Sequence, residues 1–221
     1  MNSDYLLQLK KLILPAFSET LYMVFFSSLI SIVIGIIIGI ILYVTEKDSI
    51  LENKFLNKIL GVIINIGRSI PFVILMIAVF PLSKFIVGTT LGSKAAVVPL
   101  SVAAIPFVAR MIEACLKEID KGVVEASISM GANEFQIIYK VLIPESISAI
   151  ISTITTTIIS IIGYSAMAGT IGGGGLGSIA ITYGYQRYRT DILIISVILM
   201  VILVQIVQIV GNILGKKLNK K

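Results

Sequence analysis

Residues 125–144 read EASISMGANEFQIIYKVLIP. The chain on either side is mostly apolar. This stretch carries Glu125, Ser127, Ser129, Asn133, Glu134, Gln136 and Lys140, too many polar groups to cross hydrocarbon. Val123, Val124, Ala126, Ile128 and Met130 alternate with polar positions in a short helix-compatible segment that Gly131 interrupts. Asn133, with Gln136 three residues on, has the arrangement of a capping box. Phe135, Ile138, Tyr139 and Leu142 recur at i, i+3, i+4 and i+7, one face of a second helix. Pro144 is predicted to end that helix. The pattern is a short helix, a tight turn and a second amphipathic helix. Two readings follow: a loop lying at a membrane interface, or a docking element for a cytoplasmic partner.

The rest of the chain shows what this loop interrupts. Of 221 residues 57% are hydrophobic and 14% are charged, against about 45–50% and about 25% in soluble domains. This is a membrane composition, and the length suits a single domain over residues 1–221. An excess of six positive charges would suggest nucleic acid in a soluble protein; here it reads as lysines and arginines flanking membrane spans, with no nucleic-acid partner. Cys115 is the one cysteine and histidine is absent. That excludes Ser-His and Cys-His nucleophile pairs and histidine metal sites, so neither a catalytic residue nor a metal site is expected. The apolar run 21–44 is longer than the roughly 7–15 residues of a signal-peptide core, and no small-residue cleavage site follows it.

A helix needs about 20 mainly apolar residues to cross the bilayer. Five segments qualify, at about 21–44, 59–82, 95–116, 147–170 and 191–214, which makes an all-α integral membrane protein. The second holds Arg68, Pro71 and Pro81 and is predicted to kink. With the N-terminus outside, the inner segments hold Lys47, Lys54, Lys58, Arg110, Lys117, Lys121, Lys140, Lys216, Lys217, Lys220 and Lys221. The outer segments hold only Lys10, Lys11, Lys84, Lys94, Arg187 and Arg189. The excess favours N-out, C-in, which places the loop at about 117–146 in the cytoplasm. The basic end GKKLNKK is read as anchoring the last span against the lipid surface.

Other motifs say less. Residues 172–177, GGGGLG, formally match a dinucleotide fingerprint, but that site needs a strand before and a helix after within a βαβ unit. A membrane span precedes these glycines, and Ser178 stands where a phosphate-binding loop needs lysine. They read instead as a sharp turn, so no ATP site is expected. Gly35 and Gly39, in GIIIG, either allow close helix packing or are ordinary glycines of a membrane helix. Arg68 either snorkels to the inner surface or faces a water-filled path. All acidic residues lie outside the spans or near their ends, unlike an ion-coupled carrier with a carboxylate at membrane depth.

The loop resembles the signature of permease subunits of binding-protein-dependent ABC importers: E-A-A, then glycine five residues after the first alanine, then I-x-L-P. Here the pattern is carried by Glu125, Ala126, Ser127, Gly131, Val141, Ile143 and Pro144, with mild departures at Ser127, Val141 and Ile143. RSIPF at 68–72, IVGTT at 86–90, IPFVARMIE at 105–113, GYSAM at 163–167, GGGGLG and YGYQRY at 183–188 resemble the methionine-importer branch.

The resemblance implies a type I importer permease fold, five spans per subunit, and a homodimer in a bacterial inner membrane. It implies two copies of a cytoplasmic ATPase that bind ATP and Mg, and an extracytoplasmic substrate-binding protein. Glu125, Ala126, Ser127, Gly131, Ala132 and Pro144 would form the ATPase-coupling segment, and Tyr164, Ser165, Met167 and Arg68 the translocation path or gate. Met167 reads either as that gate or as methionine filling a gap in a helix bundle. Rival readings are a permease for another amino acid, a dipeptide or an osmolyte, and a stand-alone channel or carrier.

Overall fold

A computed structural model describes residues 3–218, and every regular element among them is helical. The last three residues of the basic end, including Lys220 and Lys221, lie outside the described residues. Helix α1 runs Ser3–Val44, α2 Lys54–Ser69, α3 Phe72–Val87 and α4 Ser93–Lys117. Two short helices, α5 Lys121–Ser129 and α6 Glu134–Ile137, lead through a π-helical turn at Ile138–Leu142 into α7 Ile143–Thr170. After α8 Gly175–Ile179 and a second π-turn at Ala180–Tyr185, α9 Thr190–Leu218 closes the chain. Four helices are long and apolar enough to cross a membrane, and the bent α2–α3 pair counts as a fifth if it is taken as one broken span.

The core forms around α4, which packs against α1, α2, α3 and α7. GIIIG faces it. A Cβ on Gly35 would sit 2.5 Å from the Val108 Cβ, and one on Gly39 2.7 Å from the Ala109 carbonyl oxygen. Any side chain there would force the two helices apart, so the close-packing reading holds.

The second span differs from its prediction. The chain breaks by 112° between α2 and α3, far beyond a kink. Pro71 supplies no N–H and its ring clashes with a helical residue before it. Ile70 accordingly takes an extended conformation (φ −85°, ψ 123°) and Pro71 another (φ −56°, ψ 135°). Two successive extended residues redirect the helix. The first helix also begins well before residue 21, and its early turns bury Ala16 with Leu176, Ile179 and Ile192.

The glycine cluster turns the chain as predicted. Gly172, Gly174 and Gly175 all have positive φ, at 88°, 77° and 78°, a region closed to most side chains. Glu19 and Thr20 of α1 hold the turn by accepting the N–H groups of Gly175 (2.7 Å) and Leu176 (2.8 Å). Helix α8 then lies against α7, and a Cβ on Gly177 would stand 2.6 Å from the Ala166 Cα. No βαβ unit surrounds these glycines among the described residues.

Candidate functional site

The loop of residues 121–144 builds its turn from local bonds. Asp120 caps α5 by accepting the Gly122 N–H. At the other end Gly131 takes φ 81°. Its N–H donates to Ile128 O (2.9 Å), and the Ala132 N–H donates to Ser127 O (3.1 Å). This pair of bonds is a Schellman motif, with glycine at the left-handed position. Two residues later the capping box forms in both directions: Asn133 Oδ1 accepts the Gln136 N–H (2.9 Å), and Gln136 Oε1 accepts the Asn133 N–H (3.1 Å).

Beyond this point the sequence expectation needs correction. Pro144 does not end a helix. The chain runs helically from Glu134 to Thr170, and Pro144 sits in the first turn of α7, where its missing N–H costs little. The π-turn before it lets the Ile143 N–H reach back five residues to Ile138 O. It also changes which residues face inward. Ile137 and Leu142, five apart, are the buried pair, in a core with Val44, Leu116 and Ile150. Phe135 and Tyr139, read with Ile138 and Leu142 as one apolar face, are 83% and 71% exposed.

The result is a rooted but protruding element. Ser127 is buried, and its hydroxyl donates to Val123 O. Ala132 packs against the core under the loop. Glu125, Ala126, Gly131 and Pro144 are exposed, as are Ile128, Met130, Phe135 and Tyr139. A Cβ on Gly131 would meet nothing within 4 Å, so the glycine serves the backbone turn and leaves open space above it. Exposed apolar side chains around a carboxylate make a surface that a partner can cover.

Beside the loop lies a charge network that sequence reasoning missed. Glu113 is 5% exposed. It accepts from Arg110 (2.7 Å) and Lys117 (2.9 Å). Lys117 also reaches Glu46 at the end of α1 (2.8 Å), and Arg110 donates to Asn65 Oδ1 on α2 (2.8 Å). The network joins α1, α2 and α4 at the loop end of the bundle. The i, i+3 and i+4 spacing of Arg110, Glu113 and Lys117 was a visible signal; Glu46 and Asn65 were not linked to it by any local pattern. Glu113→Ala is expected to take one partner from each of two cations, leaving Lys117 with Glu46 and Arg110 with Asn65, and to cost about 1–3 kcal/mol, read as a lower thermal midpoint in detergent, whereas Glu113→Gln, which keeps a hydrogen-bonding group, should cost less.

The proposed path residues fall in two places. Met167 is 47% exposed and belongs to a stripe along α7: Ser152, Thr156, Gly163, Met167 and Thr170 are exposed, with Ser160 half-buried. The three hydroxyl groups at 152, 156 and 160 recur every fourth residue. Ser165 is buried, its hydroxyl donating to Ile162 O (2.7 Å). Tyr164 stacks on Phe72 with ring centroids 4.7 Å apart, fixing the α2–α3 break against α7. Arg68 lies exposed just before that break.

Helix α2 sorts its residues by face. Leu60 and Ile64 pack inward with Leu42 and Ala109. Phe55, Ile59, Val62, Ile63 and Ile66 form an exposed apolar face. Lys58, Asn65, Arg68 and Ser69 form an exposed polar one. Three faces in one helix suit a position between core, lipid and water. Helix α2 is tied to α4 by the Asn65–Arg110 bond, and α7 to α4 by the buried Cys115–Thr153 contact (3.4 Å). Among the described residues no group of His, Cys, Asp or Glu is placed to hold a metal ion.

The described residues form a multi-span helical bundle with an exposed polar loop at one end. The chain belongs to the binding-protein-dependent transport system inner membrane component family, whose model matches residues 31–221. It is 49% identical over its full length to a probable D-methionine transport system permease protein MetI of Vibrio cholerae, covering 95% of that protein. Over 92% of the chain it is 47% identical to the methionine import system permease protein MetP of Bacillus subtilis, covering 91% of that relative. Among solved structures it resembles a chain of the MetNI methionine ABC transporter in inward-facing conformations, with 41% identity, TM-score 0.94 and full coverage of both chains. A chain of an amino acid ABC transporter, 19% identical with 98% and 99% of the two chains covered, shares the fold at TM-score 0.79.

Proposed function

We propose that this chain is the permease of an ATP-driven methionine importer and works as a homodimer. Two cytoplasmic ATPase subunits, which bind ATP and Mg, dock on the two protruding loops. An extracytoplasmic binding protein delivers substrate at the glycine-turn end. The protein spans a bacterial inner membrane with its N-terminus outside. Its one domain covers residues 1–221, and its substrate class is that of relatives similar to it over nearly their whole length.

The observation that carries the coupling role is the Gly131 turn. It sits on a buried root of Ser127, Ile137 and Leu142 while Glu125, Met130, Phe135 and Tyr139 stand exposed. A loop rooted this way moves with α7, so closure of the ATPase pair rocks the spans and exposes the path alternately to the two sides. The α7 stripe with Met167, and Arg68 on α2, face that path; Tyr164 and Ser165 hold α7 in place behind it.

Proteoliposomes holding permease, ATPase and loaded binding protein test the reading. Methionine should stimulate ATP hydrolysis and be taken up, and other amino acids, dipeptides or osmolytes should not. Stimulation by one of those instead overturns the substrate assignment, and uptake by the permease alone without ATP overturns the coupling. In the same assay Met167→Ala should raise the ATP hydrolysed per methionine imported several-fold; unchanged coupling removes Met167 from the gate.

A further inference from the structure

Arg68 lies in the last turn of α2, next to the break between α2 and α3. Its neighbour Gly67 packs on Pro106, with a Cβ position 2.8 Å from the proline ring. Pro106 lies near the middle of α4, thirteen residues after Ser93 and eleven before Lys117. Arg68 is therefore near mid-depth. A phosphate at either surface is about 15 Å away, half of a hydrocarbon core about 30 Å thick, beyond the reach of an arginine side chain. Snorkelling does not explain this residue.

A cation at this depth is expensive unless it faces water or a partner. Arg110, deeper in the charge network, has its partners in Glu113 and Asn65. Among the described residues Arg68 has neither a hydrogen bond nor an ion pair, and it is exposed on the polar face of α2. The break at Ile70–Pro71 ends the helix two residues later, and the Phe72–Tyr164 stack fixes that break against α7. Arg68 thus sits in the last turn of α2, exposed, just before a break that Phe72 packs against α7, with its donors unused.

We propose that Arg68 is the carboxylate-binding residue of the translocation path: its guanidinium engages the α-carboxylate of the amino acid in transit. A planar fork of N–H donors matches a carboxylate bidentately. Such a contact lets a zwitterion leave water at mid-membrane without an unpaired negative charge. The inference rests on the permease reading above and adds the chemical group recognised.

The test uses the assembled transporter with its ATPase and binding protein. Arg68→Gln should lower methionine imported per ATP hydrolysed at least about tenfold, with assembly and thermal midpoint unchanged, and Arg68→Lys should recover part of it. Because Cys115 is the one cysteine, a Cys115→Ser, Arg68→Cys protein gives a second measurement on folded material. Labelling with an aminoethyl thiosulfonate, which restores a positive charge, should recover transport, and a neutral methyl reagent should not. Equal coupling in Arg68→Gln, or equal recovery with both reagents, overturns the proposal. If the unsubstituted transporter shows no methionine uptake, the permease reading fails; if it transports and Arg68 variants match it, only this inference fails.

Discussion

Gly131→Asp is expected to leave the spans folded and to abolish ATPase docking and transport. Two costs are separable at this position. The left-handed conformation, φ 81°, penalises most side chains by roughly 1–2 kcal/mol but is tolerated better by Asn and Asp. The space above the glycine is open in the single chain, so a larger side chain meets nothing until a partner arrives. If backbone strain dominates, Gly131→Ala should be worse than Gly131→Asn. If close approach of the ATPase dominates, the order reverses, with Asp at least as damaging as Asn. Co-purification with the ATPase and methionine-stimulated hydrolysis, measured on all three variants, decide between them. Retention of both docking and transport in the Asp variant would remove the loop from the coupling role.

Gly39→Ala is expected to produce a large loss of stability from a single methyl group. Its Cβ would lie 2.7 Å from the Ala109 carbonyl oxygen and 2.7 Å from the Ile112 Cβ. Neither is the far end of a flexible side chain, so α1 and α4 must separate along a contact that continues through Gly35 and Val108. Overpacking of this kind costs about 1–3 kcal/mol, and Gly39→Leu should cost more. Gly61→Ala is the matched control: a Cβ there meets nothing within 4 Å, and the change should be neutral or slightly stabilising. Thermal midpoints in detergent for the two alanine variants should differ clearly. Equal midpoints would show that the α1–α4 contact is looser than described.

Much of this protein is legible along the chain because the signals are local. Hydropathy and length marked five crossings. The capping box at Asn133 and Gln136, and the turn at Gly131, depend on residues within three to five positions of each other, and both formed. The glycine turn at 172–175 was equally local. The helix boundaries shifted where a neighbour outside the pattern intervened: α1 extends toward the N-terminus because its early turns have Leu176, Ile179 and Ile192 to pack against. Of the apolar face read from Phe135, Ile138, Tyr139 and Leu142, Phe135 and Tyr139 stand exposed, while Leu142 is buried at the end of a π-turn that shifts it out of α-helical phase.

By itself, then, the sequence determined an all-helical membrane protein, the place and form of its polar loop, and the residues of its turns. These follow from burial by hydrocarbon and from hydrogen bonds between near neighbours, which act whatever the rest of the chain does. Only the tertiary structure decided that the chain bends by 112° between α2 and α3, that Phe72 stacks on Tyr164 beyond that bend, and that the charges around Glu113 link α4 to Glu46 and Asn65. The stack and the charge links join residues tens of positions apart, and such pairings exist only once α1, α2, α3 and α7 have packed around α4.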